Sequence, residues 1–206
     1  MIIKVDHITE VVKDSDVSVK IQKMQNEGYK QKFAEYKLKN ISSKKKYMRQ
    51  DLQLHDMYFW EREKNIPIEM IAYEKVGEGY SYALRQNQID ICVCHPESVG
   101  QVLLCLGTRE IEKNKTYNIR GVFDKQDIII NLIATEKICT RYLDDEGLGC
   151  ITLLIDSIQK IEKILDERGV NHTDVYSIEV AGKQLYVMFV NSVDNEVIIE
   201  LISNRR

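Results

Sequence analysis

The hydrophobic pattern is clearest in the last third of the chain. Cys150 to Ile155 is a short apolar run rich in β-branched residues, and it ends at Asp156-Ser157, a pair suited to capping a helix. Ile158, Ile161, Ile164 and Leu165 then recur at helical spacing, and the stripe stops at Gly169. Three strand-like runs follow, Val175 to Val180, Gln184 to Val190 and Glu196 to Ile202, with turns at Ala181-Gly182-Lys183 and Asp194-Asn195. The order is β-α-β-β-β.

The first third repeats it. Val5 to Val12 reads as a strand, Asp14-Ser15-Asp16 as a cap, and Val17, Ile21 and Met24 as one helix face ending before Gly28. A new run begins at Tyr29. After a longer middle, Leu52 to Trp60 and Ile66 to Tyr73 form a hairpin around residues 61–65. The middle third is shorter. Ile89 to Cys94 is its strand, and His95-Pro96 places proline at the first helical position. Val99, Val102, Leu103 and Leu106 make the stripe, and Thr116 to Phe123 and Asp127 to Ala134 close the unit around a turn at Asp124-Lys125.

The closing strands make the repetition concrete. Residues 67–72 read Pro-Ile-Glu-Met-Ile-Ala, residues 129–134 Ile-Ile-Asn-Leu-Ile-Ala, and residues 198–203 Ile-Ile-Glu-Leu-Ile-Ser. Each sets one polar residue at the same place in an apolar strand. The pattern predicts an α+β fold of three imperfect βαβββ copies, over residues 1–76, 77–137 and 138–206.

Composition narrows the class. Hydrophobic residues are 44% and charged residues 30% of the chain, which is the profile of a globular protein. With 29 basic and 32 acidic residues the net charge is -3, so no general attraction to nucleic acid or an anionic membrane is expected. No apolar run reaches the ~20 residues that span a bilayer, and the start of the chain does not read as an export signal. A cytoplasmic protein is expected, with Cys92, Cys94, Cys105, Cys139 and Cys150 reduced and packed as small hydrophobes. Phosphate loops, nucleophile elbows and His-Glu-x-x-His helices do not occur, which disfavours nucleotide hydrolysis, serine esterase chemistry and zincin proteolysis.

The run from Val5 to Asp14, taken with Ile68-Glu69-Met70, resembles the vicinal oxygen chelate superfamily. That group includes glyoxalase I, bleomycin-resistance proteins, extradiol dioxygenases and methylmalonyl-CoA epimerases. The resemblance implies paired βαβββ units forming a curved mixed sheet around a metal cup. It also implies ligands on the first strand, seven positions before the capping residue, and on the last strand. Carried over, the first-strand positions are His7, Gln88 and Gly149, and the last-strand positions Glu69, Asn131 and Glu200. Pairing the first unit with the third would assemble His7, Glu69 and Glu200, a set suited to divalent Fe, Mn, Ni or Zn. Pairing it with the second would assemble His7, Glu69 and Gln88. Three units leave one without an internal partner, which suggests a homodimer.

The resemblance implies a metal-dependent enzyme acting on a small substrate with vicinal oxygens, as isomerase, lyase or ring-cleaving enzyme. The bleomycin-resistance branch implies instead a metal-free protein that sequesters a small molecule. Glu69, inside an apolar strand, would be costly to bury without a partner. If Trp60 pairs with Ile66, Met57 lies opposite Glu69 and His55 two residues further along the same face. His55 is then a candidate fourth ligand or a general acid/base with a pKa near neutrality. Lys44-Lys45-Lys46 form a basic loop where an anionic substrate would be sought first. Cys92, Cys94 and His95 lack a second pair at zinc-finger spacing and read as structural.

Overall fold

The computed structural model describes residues 1–80, 82–123, 127–137, 140–180 and 182–205. The expected turn at Asp124-Lys125, Ala181 and Cys139 lie outside them. The first unit comprises β1 (Ile2–Lys13), α1 (Val17–Asn26), β2 (Lys30–Lys39), α2 (Ser42–Lys45), β3 (Leu54–Glu61) and β4 (Ile68–Tyr73). The middle of the chain adds β5 (Gly77–Tyr80), β6 (Tyr82–Arg85), β7 (Gln88–Val93), α3 (Pro96–Cys105), β8 (Arg109–Glu112), β9 (Thr116–Ile119) and β10 (Ile128–Ala134). The last part holds β11 (Asp145–Ile155), α4 (Ile158–Arg168), β12 (Tyr176–Val180), β13 (Lys183–Asn191) and β14 (Ile198–Ser203).

Two sheets result. The larger runs β12-β13-β14-β11-β1-β4-β3-β2, with β5 added along β11, and it curls into a half-barrel. At its centre β1 and β11 pair antiparallel, and each is flanked on its outer side by the parallel last strand of its own unit, β4 or β14. The first and third units are therefore joined through their first strands. The smaller sheet has the order β6-β7-β10-β9-β8. There β6 turns back on β7 and occupies the edge through which the other two units meet. The middle copy keeps the βαβββ order from β7 to β10, and apart from β5 its strands form the smaller sheet and not the half-barrel.

Strand faces explain the continuous apolar runs. On β1, Ile8 and Val12 face the helices while His7, Thr9 and Val11 face the concave side. On β4, Met70 and Ala72 face the helices while Glu69, Ile71 and Tyr73 face the concavity. Both faces are buried, as in sheets covered on two sides. On the helix side one core joins the two sheets, drawing in Trp60, Met70, Ile91, Leu103 and Leu153. Helix α4 enters this core through Ile158, Ile161 and Leu165 and ends at Gly169, whose φ of 63° is the left-handed conformation a C-terminal glycine supplies without strain.

Cross-links tie the middle copy to the third. The buried Arg141 donates from Nε to the Glu196 carbonyl (2.9 Å) and from Nη2 to the Cys92 carbonyl (3.3 Å). The Glu196 carboxylate accepts the backbone N–H of His95 (3.0 Å) and that of Cys94, capping α3 from another unit. Cys92, Cys94, Cys105 and Cys150 form no disulfide. Among the described residues no helix is long and apolar enough to cross a membrane.

Candidate metal centre

The concave face of the half-barrel collects side chains from both paired units. His7 on β1 lies opposite Thr152 on β11, and Thr9 lies opposite Cys150. In the parallel pairs, Thr9 stands beside Glu69 and Thr152 beside Glu200. The two halves thus present the same motif, a threonine on the first strand donating to a glutamate on the last. Thr9 Oγ1 donates to Glu69 Oε2 at 3.0 Å, and Thr152 Oγ1 donates to Glu200 Oε2 at 2.8 Å.

His7 sits between the two acids. Its Nε2 lies 3.5 Å from Glu69 Oε2 and 3.8 Å from Glu200 Oε2, and its Nδ1 lies 2.9 Å from Asp6 Oδ2. Nε2 is buried and has no hydrogen-bond partner. The ring packs edge-on against Phe59, with centroids 5.5 Å apart. The carboxylate of Asp6 on Nδ1 fixes the imidazole so that Nε2 faces the acids, an arrangement common behind metal-binding histidines. A buried, unpartnered ring nitrogen facing two carboxylates fits a divalent ion.

Electrostatics agree. Burial disfavours the imidazolium of His7, but Glu69 and Asp6 outweigh it and raise the pKa to about 10. Glu69 is lowered despite burial, through the charge of His7 and, further off, of Lys44 and the hydrogen bond it accepts from Thr9. Glu200 is raised by burial and by the charge of Glu69. Two carboxylates sharing one concavity resist ionising together, and a cation of higher charge relieves that conflict.

A cavity of ≈ 200 Å³ opens onto the two carboxylates. Glu69, Glu200, His55 and Lys44 line it together with the apolar walls Met57, Ile71, Tyr176 and Phe189. His55 is on the same face as Glu69 but further along than the hairpin count suggested. Phe59, not Met57, pairs with Glu69, because the strand resumes at Ile68 after Pro67, two residues later than counted. A shift of two preserves the face. His55 contacts the Tyr73 ring at 5.7 Å, and its buried Nδ1 has no partner. Burial and the Lys44 charge push its pKa down to about 3, not near neutrality, so the imidazole is neutral here.

The count from the helix cap placed Gly149 opposite Glu200, and the strand pairing corrects it. Thr152 takes the place of Thr9, so Cys150, two residues earlier, stands where His7 stands in the first unit. The counts differ because a 3-10 turn at Asp14–Asp16 lengthens the first unit's entry into α1, whereas in the third unit Ser157 leads directly into α4. Cys150 is buried, donates from Sγ to Thr9 Oγ1 at 3.2 Å, and has its thiol pushed up by burial. In the middle copy the corresponding residues are Gln88, Asp90 and Asn131. They satisfy one another, with Gln88 Nε2 and Asn131 Nδ2 donating to Asp90 Oδ1 at 2.7 and 2.8 Å.

Reading from sequence missed Thr9 and Thr152, and named Lys44 only as one of three lysines in a basic loop where an anionic substrate would be sought. The two threonines could have been found as the residues level with the polar position of each last strand. Elsewhere, His95, Asp194 and Glu196 bring ligand atoms within 4.8 Å of one another. There Glu196 already serves as the cap of α3. A more polar groove of ≈ 660 Å³ lies on the helix side, lined by residues including Glu10, Lys20, Arg62 and Tyr82.

No family model and no curated protein matches the sequence. Among solved structures the chain is similar to a putative dioxygenase from Bacillus subtilis, with 9% identity and a TM-score of 0.43 over 98% of this chain and 63% of that one. It is also similar to methylmalonyl-CoA epimerase from Mycobacterium tuberculosis, with 11% identity and a TM-score of 0.47 over 98% and 88% of the two chains. A glyoxalase I mutant from Zea mays shows 12% identity and a TM-score of 0.41 over 96% and 66%. This chain thus spans just under two thirds of the dioxygenase and of the glyoxalase I. The fold of this chain, two βαβββ units paired into a half-barrel around a cup, stands on its own strand order. The chemistry of the cup rests on this chain's own side chains.

Proposed function

We propose that the cup binds a divalent metal ion through His7, Glu69 and Glu200 and that the protein is an enzyme of the glyoxalase or dioxygenase type. One observation carries this reading. The buried Nε2 of His7 has no hydrogen-bond partner and faces carboxylates from two different units at 3.5 and 3.8 Å. When bound, the ion supplies Lewis-acid stabilisation of negative charge on the oxygens of a small substrate.

The chain's own residues do the rest. Thr9 and Thr152 hold the two carboxylates in place, and Asp6 holds the ring of His7. Phe59 and the apolar cavity walls exclude water, which strengthens every charge interaction inside. His55 faces the substrate space as a neutral imidazole with an open Nδ1, the position from which a proton is exchanged. A ligand that offsets the Lys44 charge raises His55 toward the range where such exchange is efficient.

A second reading, a metal-free binder of small molecules, is favoured by Lys44, whose ammonium already brings positive charge to the cup. Metal uptake separates the two. Protein purified without chelator and titrated with Mn(II) or Zn(II) takes up one equivalent, and His7→Ala, Glu69→Ala and Glu200→Ala each abolish uptake. Wild-type protein that takes up no metal after reconstitution would leave the binder reading in place.

A further inference from the structure

We propose that Lys44 selects substrates that bring a negative charge, namely small carboxylates with a second oxygen on the neighbouring carbon. This deepens the metal-centre reading and rests on it. Lys44 belongs to α2, a single turn in the 40–53 connection, and lines the cavity with Glu69 and Glu200. Among the described residues no carboxylate is at ion-pair contact with it. Its ammonium faces the acids across the cavity instead of being neutralised by them.

The connection is fixed to the third unit. The fully buried Asp144 carboxylate accepts the backbone N–H of Arg49 (2.6 Å) and of Gln50 (2.9 Å). Tyr47 Oη donates to Asn191 Oδ1 (3.1 Å), and its carbonyl accepts the N–H of Leu143 (2.7 Å). Lys46 Nζ donates to the His172 carbonyl (3.3 Å). Held by these contacts at residues 46–50, directly after α2, the loop presents its lysine at one place.

Charge then decides what fits. A divalent ion cancels the two glutamates, with His7 as a neutral ligand. Lys44 leaves the loaded cup with one net positive charge inside apolar walls. A neutral ligand would leave that charge uncompensated, whereas a carboxylate neutralises it through a charge-assisted contact. The rest of the lining adds exposed Lys39 and Glu179 and half-buried Glu35, one net negative charge that lies toward solvent and is screened there.

The test compares oxalate with oxamide, its neutral analogue of the same shape, by calorimetric titration of Mn(II)-loaded full-length protein. Wild type prefers oxalate. Lys44→Gln weakens oxalate by roughly 10- to 100-fold, the size of one charged hydrogen bond, while oxamide affinity and Mn(II) content stay unchanged. Lys44→Arg restores part of the preference, and Lys44→Met gives a second charge-free variant if the first folds poorly. Equal oxalate affinity in wild type and Lys44→Gln would overturn the proposal, and so would parallel loss of both probes. Wild type that takes up no Mn(II) overturns the metal reading alone, and the same comparison on metal-free protein then decides the role of Lys44.

Discussion

Asp144→Ala gives the sharpest test of how the cup is built across two units. Asp144 is fully buried, and its carboxylate accepts two backbone N–H groups from residues 49 and 50 at 2.6 and 2.9 Å. A hydrogen bond to a charged group contributes about 1.5–3 kcal/mol, and truncation also strands two donors away from water. Allowing for non-additivity, the loss is about 3–5 kcal/mol. That is smaller than the stability of a typical domain of this size, about 5–15 kcal/mol, so the 40–53 connection opens locally before the fold is lost. At 1.4 kcal/mol per factor of ten, opening becomes about a hundred- to a few thousandfold more frequent. Amide hydrogen exchange reads this directly. The amides of Arg49 and Gln50 lose protection by that factor in the variant, while those of β1, β4 and β11 keep theirs. Unchanged exchange at residues 49 and 50 would refute the clamp. Acceleration by the same factor in the central strands would show that Asp144 supports the whole fold and not the connection.

Two further outcomes follow from the same geometry. Thr152→Val removes the 2.8 Å donor to Glu200 and should weaken metal binding by roughly 10- to 100-fold in a competition titration with little change in melting temperature, as should Thr9→Val on the Glu69 side. In the middle copy, burial works to raise Asp90, but hydrogen bonds from Gln88 and Asn131 and the charge of Arg85 outweigh it and hold the pKa below its ordinary value. A depressed folded-state pKa contributes stability above the unfolded value, about 3.9, and loses it as pH falls through the folded value. Urea unfolding should therefore show Asp90→Asn less stable than wild type at pH 7, with the difference shrinking below about pH 4. A gap that stays constant into acid would contradict this account of Asp90.

The repeat was legible because each last strand sets one polar residue among apolar ones at the same place, and because Gly28, Gly107 and Gly169 close the three helices. Which copies pair was not. That choice is made by β6, a four-residue strand that covers the edge of β7, and nothing in the alternation of residues 82–85 marks it as a cover. Glu69 stood out because an ionisable group in an apolar strand demands a partner, whereas His7 and Glu200 followed from the positions the family resemblance implies. Cys150 was missed because a 3-10 turn lengthens the first unit's entry into α1, so a count carried over from its cap does not fit the third unit. Lys44 was read only as one of three lysines in a basic loop, since three consecutive lysines look alike until a turn of helix aims one inward. Long-range contacts made that difference, through Asp144 and Asn191 nearly a hundred residues away or more.

The cup itself is tested most directly by anomalous diffraction from crystals grown with Mn(II) or Zn(II). The account predicts one ion bonded to His7 Nε2 and to the carboxylates of Glu69 and Glu200, at roughly 2.0–2.2 Å. An ion held by His95, Asp194 and Glu196 with the cup left to water and Lys44 would contradict it.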